Sequence, residues 1–118
     1  MQSDIYLNTF IAKCKAETSS IKEEQYKDVG DYVLALLVTS GLKTMLPEIK
    51  QWIKLGVSAI VLKRMEIEKR LEQYAAIKEL DMDEARKAAH IIAKNVTKEN
   101  ITDLVKALED EQSNRSPD

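Results

Sequence analysis

The stretch from Pro47 to Leu80 constrains the fold more than any other part of the chain. It reads PEIKQWIKLGVSAIVLKRMEIEKRLEQYAAIKEL, with Gly56 as its one glycine and no proline after the first residue. Leu46, Ile49, Ile53, Val57, Ile60, Arg64, Ile67, Leu71 and Tyr74 follow one another at steps of three or four. That spacing lines up a single helical face. Pro47 suits a first helical turn, where its missing N–H leaves no bond unmade. Glu48 then sits near the positive end of the helix dipole. Charges alternate in sign on the other side, and Glu66 with Arg70 is a favourable pair four apart.

Length makes this stretch demanding. At about 1.5 Å per residue, an unbroken helix over it spans roughly 51 Å. A compact domain of this chain length has a radius of gyration near ~13.5 Å and is roughly 35 Å across. The helix would overhang its own domain, and its apolar stripe would need a second surface to cover it. The alternative is a break, with Gly56 bending the helix or Tyr74–Ala76 ending it early.

The segments around it also read as helices. Ser3 caps a first one, followed by Asp4, with Leu7, Phe10, Ile11 and Cys14 as its stripe and an end near Glu17. Ser20 with Glu23 forms a capping box for a second helix starting at Ile21. Tyr26, Val29, Val33, Leu36 and Leu37 continue that pattern, with Gly30–Asp31 as a point where it can stop and restart. Val33 to Val38 is apolar nearly all round, which places it at the centre of a bundle. The second helix ends between Gly41 and Met45, because Pro47 disfavours a helical Leu46. Asp81 with Glu84 is another capping box, opening a helix with Met82, Ala85, Ala89, Ile92 and Val96 on one face. Thr97 caps a last helix carrying Ile101, Leu104, Val105 and Leu108.

Three glycines and two prolines in 118 residues leave few turn signals and so few elements, and with Ala, Leu, Lys and Glu abundant those elements should be helices. The expected fold is therefore all-α: an orthogonal or up-down bundle of about five helices around one long central helix. Residues 1–110 form one domain, and 111–118, polar and ending in SNRSPD, form a disordered tail.

Composition narrows the function classes. A formal net charge of −2 lacks the basic footprint of a typical DNA-binding domain. One cysteine excludes a disulfide framework and suits reducing conditions. The N-terminus MQSDIYLNTF has no basic start or apolar run of a signal peptide, so a cytoplasmic location is expected. Tyr32 to Leu42 and Leu55 to Leu62 are the most apolar runs, and both fall short of the roughly 18 residues of a spanning helix. They read as core helices.

Residues with chemical potential read more simply as structure. His90, the one histidine, has no carboxylate three or four residues away, so the E-x-x-H pattern of di-iron bundles is absent. Cys14 lies on an apolar stripe, where cysteine behaves as a small hydrophobe. Glu66, Glu68 and Glu72 interleave with Lys69 and Arg70 as on a solvated, ion-paired face. Trp52, beside Ile53, reads as a core anchor.

The expected function is non-enzymatic, with no cofactor and no metal: a small helical adaptor or assembly subunit. It would pack the long helix against a copy of itself or against another protein. Ile67, Leu71 and Tyr74 would form the contact face, with Arg64 setting register as polar stripe residues do in coiled coils. Leu71→Asp is then expected to disperse the assembly and spare the monomer. The alternative is a nucleic-acid-associated subunit of a ribonucleoprotein or of a phage or plasmid accessory complex. That reading uses Lys63, Lys69 and Arg70, with Tyr74 as a stacking face.

Overall fold

The computed structural model describes residues 2–20 and 33–115. The Ile21 helix start, Tyr26, Val29 and the Gly30–Asp31 step fall outside the described residues. Six α-helices and no strand occur among the described residues, so the fold is all-α. They are α1 (Gln2–Ser20), α2 (Leu46–Leu55), α3 (Val57–Leu62), α4 (Arg64–Ile77), α5 (Met82–Asn95) and α6 (Ile101–Arg115).

The single long helix does not exist. The molecule measures 38 × 36 × 26 Å with a radius of gyration of 13.8 Å, too small to shelter a rod of about 51 Å. The chain breaks twice instead. Gly56 takes φ 106° and ψ −177°, a conformation open to glycine and costly for any other residue. Lys63 adopts φ −91° and ψ 0°, and its N–H is shared between the carbonyls of Ala59 and Ile60. The predicted stripe is still the buried face, but it is folded over the body of the protein. Leu46, Ile49, Ile60, Ile67 and Leu71 all lie in the core.

Ahead of α2, residues 33–36 are helical and widen into a π-helical turn, Leu37–Gly41. Leu42 N–H donates to the Leu37 carbonyl at 3.1 Å, and the Thr39 hydroxyl donates back to Ala35. Val33, Leu34, Leu37 and Val38 are fully buried, as the all-round apolar pattern predicts. A 3-10 turn, Lys43–Met45, follows. Leu46 is helical despite the proline after it, and the backbone turns one residue earlier, at Met45, with φ −100° and ψ 0°. The helical run thus ends where expected, between Gly41 and Met45, but Leu46 itself is helical, because the pre-proline bias is a preference and not a bar.

Helix α1 buries Leu7, Phe10 and Cys14 and half-buries Ile11, packing on α5 and α6. Its backbone is already helical at Gln2, so Ser3, expected as its cap, lies inside the helix, which runs through Thr18 to Ser20. Helices α4 and α5 form the closest pair. Ala85, Ala88 and Ala89 are buried and allow that approach. Between them the chain reverses in a Schellman turn, with Leu80 N–H on the Ala75 carbonyl and Glu79 N–H on that of Ala76. Glu79 holds the left-handed position at φ 59°.

Asp81 caps α5 by accepting from the N–H groups of Asp83 and Glu84. Burial, with Asp81 adding to it and Lys87 opposing, raises the Glu84 carboxyl above its ordinary value. Thr97 and Asn100 cap α6 reciprocally: each backbone N–H donates to the other's side-chain oxygen. The Asn100 amide also donates to the Asn95 carbonyl and locks the α5–α6 corner. The four predicted core residues of α6 are all buried. Its backbone continues to Arg115, so residues 111–115, expected in a disordered tail, extend the helix. No proline or glycine stands in their way before Pro117.

Candidate functional site

The expected docking face is not available. Ile67 is 1 % exposed and Leu71 is 0 % exposed, both within the chain's own core. Tyr74 is half-buried against that core, with the Lys78 ammonium 5.6 Å from its ring centroid. Arg64 is tied within its own chain. Its Nε donates to the carbonyl of Val96 at 3.2 Å. Val96 is the C-cap of α5, so a cation meets the negative end of a helix dipole. The α4 part of the apolar stripe is covered by α5 and the π turn.

The basic set is also largely committed inside the chain. Arg70 donates to the Glu48 carboxylate of α2, and that hydrogen bond holds the guanidinium pKa above its ordinary value. The Lys63 ammonium lies 5.7 Å from the Trp52 centroid and 3.7 Å from Glu66. Lys69 is exposed and has no ion partner among the described residues, but it shares a shallow recess with Glu66, Glu68 and Glu72. Three carboxylates around one lysine repel phosphate, which counts against a nucleic-acid interface at this face.

The candidates for catalysis are placed as follows. Cys14 is buried, and burial first, with Glu17 second, pushes its thiol up to about 12. A thiol so held is protonated near neutral pH and shut away from substrate. His90 faces solvent, with Nδ1 3.1 Å from Glu68 on α4. Glu72 likewise pairs with Arg86 at 3.5 Å. These pairs run in opposite directions along α4 and α5 and fix the antiparallel register of the two helices. Among the described residues no group of three metal-ligating side chains forms.

The apolar surface left open lies where the sequence suggested core. Leu55 is 73 % exposed, Leu62 77 % and Met65 82 %, and Val61 is half exposed. Val61 and Leu62 end α3 and Met65 lies in the first turn of α4, on either side of the Lys63 break. Leu55 sits across the Gly56 break. Met65 also lines a recess of about 410 Å³ with Glu66, Glu68, Lys69 and Glu72. The available signal was that Val61, Leu62 and Met65 fall off the predicted stripe, on the side where polar residues belong. A second opening, about 290 Å³, lies between α1 and the start of α6, with Ile5, Tyr6, Phe10 and Leu104 as its apolar part and Lys13 and Asp103 at its edge.

No family model, no curated protein and no solved structure matches this chain. No described helix is long and apolar enough to cross a membrane.

Proposed function

We propose that this chain is a non-enzymatic interaction or assembly subunit that binds a protein partner. The contact surface is the exposed face of α3 and the first turns of α4, not the buried stripe. One observation carries the reading: Leu55, Val61, Leu62 and Met65 are all exposed between residues 55 and 65, the stretch that holds the two breaks of the central segment. Exposed apolar residues scattered singly need no explanation, whereas a cluster rimmed by polar groups marks an interaction site. The rim here is Lys54, Lys69 and the three carboxylates of the recess. The inaccessible Cys14 supports a role without nucleophilic chemistry.

The test is site-specific photo-crosslinking in cells that express the chain, with a benzophenone amino acid at Leu62 and, as control, at exposed Lys98. A discrete protein adduct at position 62 and none at 98 is the expected result. No adduct at 62 overturns the reading. Adducts to lipid instead of protein, with flotation on anionic vesicles, replace it with a membrane-surface role.

A further inference from the structure

We infer that the opening between α1 and the start of α6 binds a small zwitterion with an apolar body, an amino acid of the leucine or phenylalanine kind or a short peptide built from one. The inference stands apart from the α3 face and uses none of its residues. Residue size accounts for the opening. Ile5, Thr9 and Lys13 lie four apart along α1, so the small threonine leaves a gap between two long neighbours. Phe10 and Leu104 give the gap a buried wall, at 4 % and 3 % exposure. Ile5 and Tyr6 stay 62 % and 45 % exposed beside it, so a guest with an apolar body covers surface that the two helices leave in water. The volume, about 290 Å³, falls at the small end of the roughly 300–1,000 Å³ of small-molecule sites.

The polar groups decide the class of guest. Thr9 spends its hydroxyl hydrogen on the Ile5 carbonyl. Asn100 spends its side chain on the Thr97 N–H and the Asn95 carbonyl. Lys13 and Asp103 have no hydrogen-bond or ion partner among the described residues, and they do not pair with each other. Asp103 suits the first turn of α6, but Thr97 and Asn100 make the cap there and leave its oxygens open. One cavity thus presents an unpaired cation and an unpaired carboxylate beside an apolar wall. A plain carboxylate would satisfy Lys13 and bring a like charge to Asp103, and a plain amine would do the reverse. A zwitterion matches both, carboxylate on Lys13 and ammonium on Asp103.

The experiment titrates the full isotope-labelled chain with L-phenylalanine, L-leucine and alanyl-phenylalanine up to about 10 mM and follows amide shifts by nuclear magnetic resonance. Saturable shifts centred on residues 5–13 and 100–104 are expected with at least one of the three. Phenylpropionate, which lacks the amine, and phenethylamine, which lacks the carboxylate, should each bind at least about tenfold more weakly. Lys13→Met should bring the zwitterion down to the level of phenethylamine, and Asp103→Asn down to that of phenylpropionate. That pattern assigns each ligand charge to one residue, which a general loss of stability would not do. Thr9→Leu fills the gap and should abolish binding. The amide spectrum of each variant checks that the fold is kept, and a misfolded Thr9→Leu is replaced by Thr9→Val, with a smaller loss expected. No saturable shift with any of the three zwitterions overturns the inference, as do shifts centred elsewhere in the molecule. Binding of phenylpropionate or phenethylamine as tight as that of the zwitterion also overturns it, since the two charges would then select nothing.

Discussion

Gly41 lies so close to Leu71 that a Cβ built on it would stand 2.7 Å from the leucine Cδ2. The π turn ends at this glycine, and α4 passes directly against it. Leu71 is fully enclosed and cannot swing away into solvent. Gly41→Ala should therefore destabilise by about 1–3 kcal/mol through overpacking, even though alanine is the better helix former. Urea unfolding of Gly41→Ala, of Leu71→Val and of the double variant checks it. The double variant should lose less than the two single losses together, because the shorter side chain makes room for the new methyl.

Gly56 presents the opposite case. Nothing lies within 4 Å of the place its Cβ would occupy, so a substitution there meets no steric neighbour. The whole cost is in the backbone at φ 106°. Gly56→Ala should lose about 1–3 kcal/mol in urea unfolding with the far-ultraviolet spectrum nearly unchanged. A clear rise in helical signal would mean that α2 and α3 had fused and that the break depends on the glycine alone.

Glu79 occupies a position that glycine fills in most Schellman turns. At φ 59° its Cβ crowds the following carbonyl, and the side chain itself is exposed. Glu79→Gly should stabilise by about 0.5–1 kcal/mol, the relief of strain outweighing the added freedom of the unfolded chain. A raised urea midpoint with an unchanged slope is the expected outcome.

Helix faces were legible in the sequence, but their partners were not. The stripes of α1, α5 and α6 and the buried run at Val33–Val38 follow directly from spacing, because a helix shows its apolar side by period alone. Spacing does not say what covers that side. Ile67 and Leu71 read as a seam for another chain because the helix beneath them looked too long to be covered at home. Gly56 marked one break in the sequence. Lys63 marks the other, in a run without glycine or proline, and no local residue announces it. The polar ties were out of reach for the same reason. Arg70–Glu48 and His90–Glu68 join residues 22 apart, and Arg64–Val96 residues 32 apart, so each exists only once the helices have been folded against one another.

Cys14 gives the stability a dependence on alkaline pH. An unfolded thiol ionises near ~8.5, whereas the folded one holds its proton to about 12. Below the unfolded value both states carry the proton, and the contribution is fully present. Between the two values only the folded state carries it, so the unfolded state gains from rising pH. Stability should fall there by about 1.4 kcal/mol per pH unit from this group. Cys14→Ala removes the titration, so its own profile should be flatter, and its deficit against wild type, set by the smaller side chain at lower pH, should shrink between pH 9 and 11. Urea midpoints of both proteins across that range check the sign.

Leu71 and Leu62 are the same residue type on opposite sides of one folded segment, and an aspartate at each separates core from surface. At position 71 the carboxylate would enter a fully buried site in a core that holds no charged side chain among the described residues. Burying an unpaired charge costs more than the few kcal/mol that hold a domain of this size together. Leu71→Asp should therefore abolish the cooperative transition and the native circular dichroism, in place of dispersing an assembly of folded monomers. At position 62 the side chain is already mostly in water, so Leu62→Asp should change stability by no more than about 0.5 kcal/mol. Any loss of association in Leu62→Asp then belongs to the surface, since the fold beneath it is intact. A folded Leu71→Asp protein would mean that α5 and the π turn do not cover Leu71 in solution, and the buried stripe would again be free to face a partner.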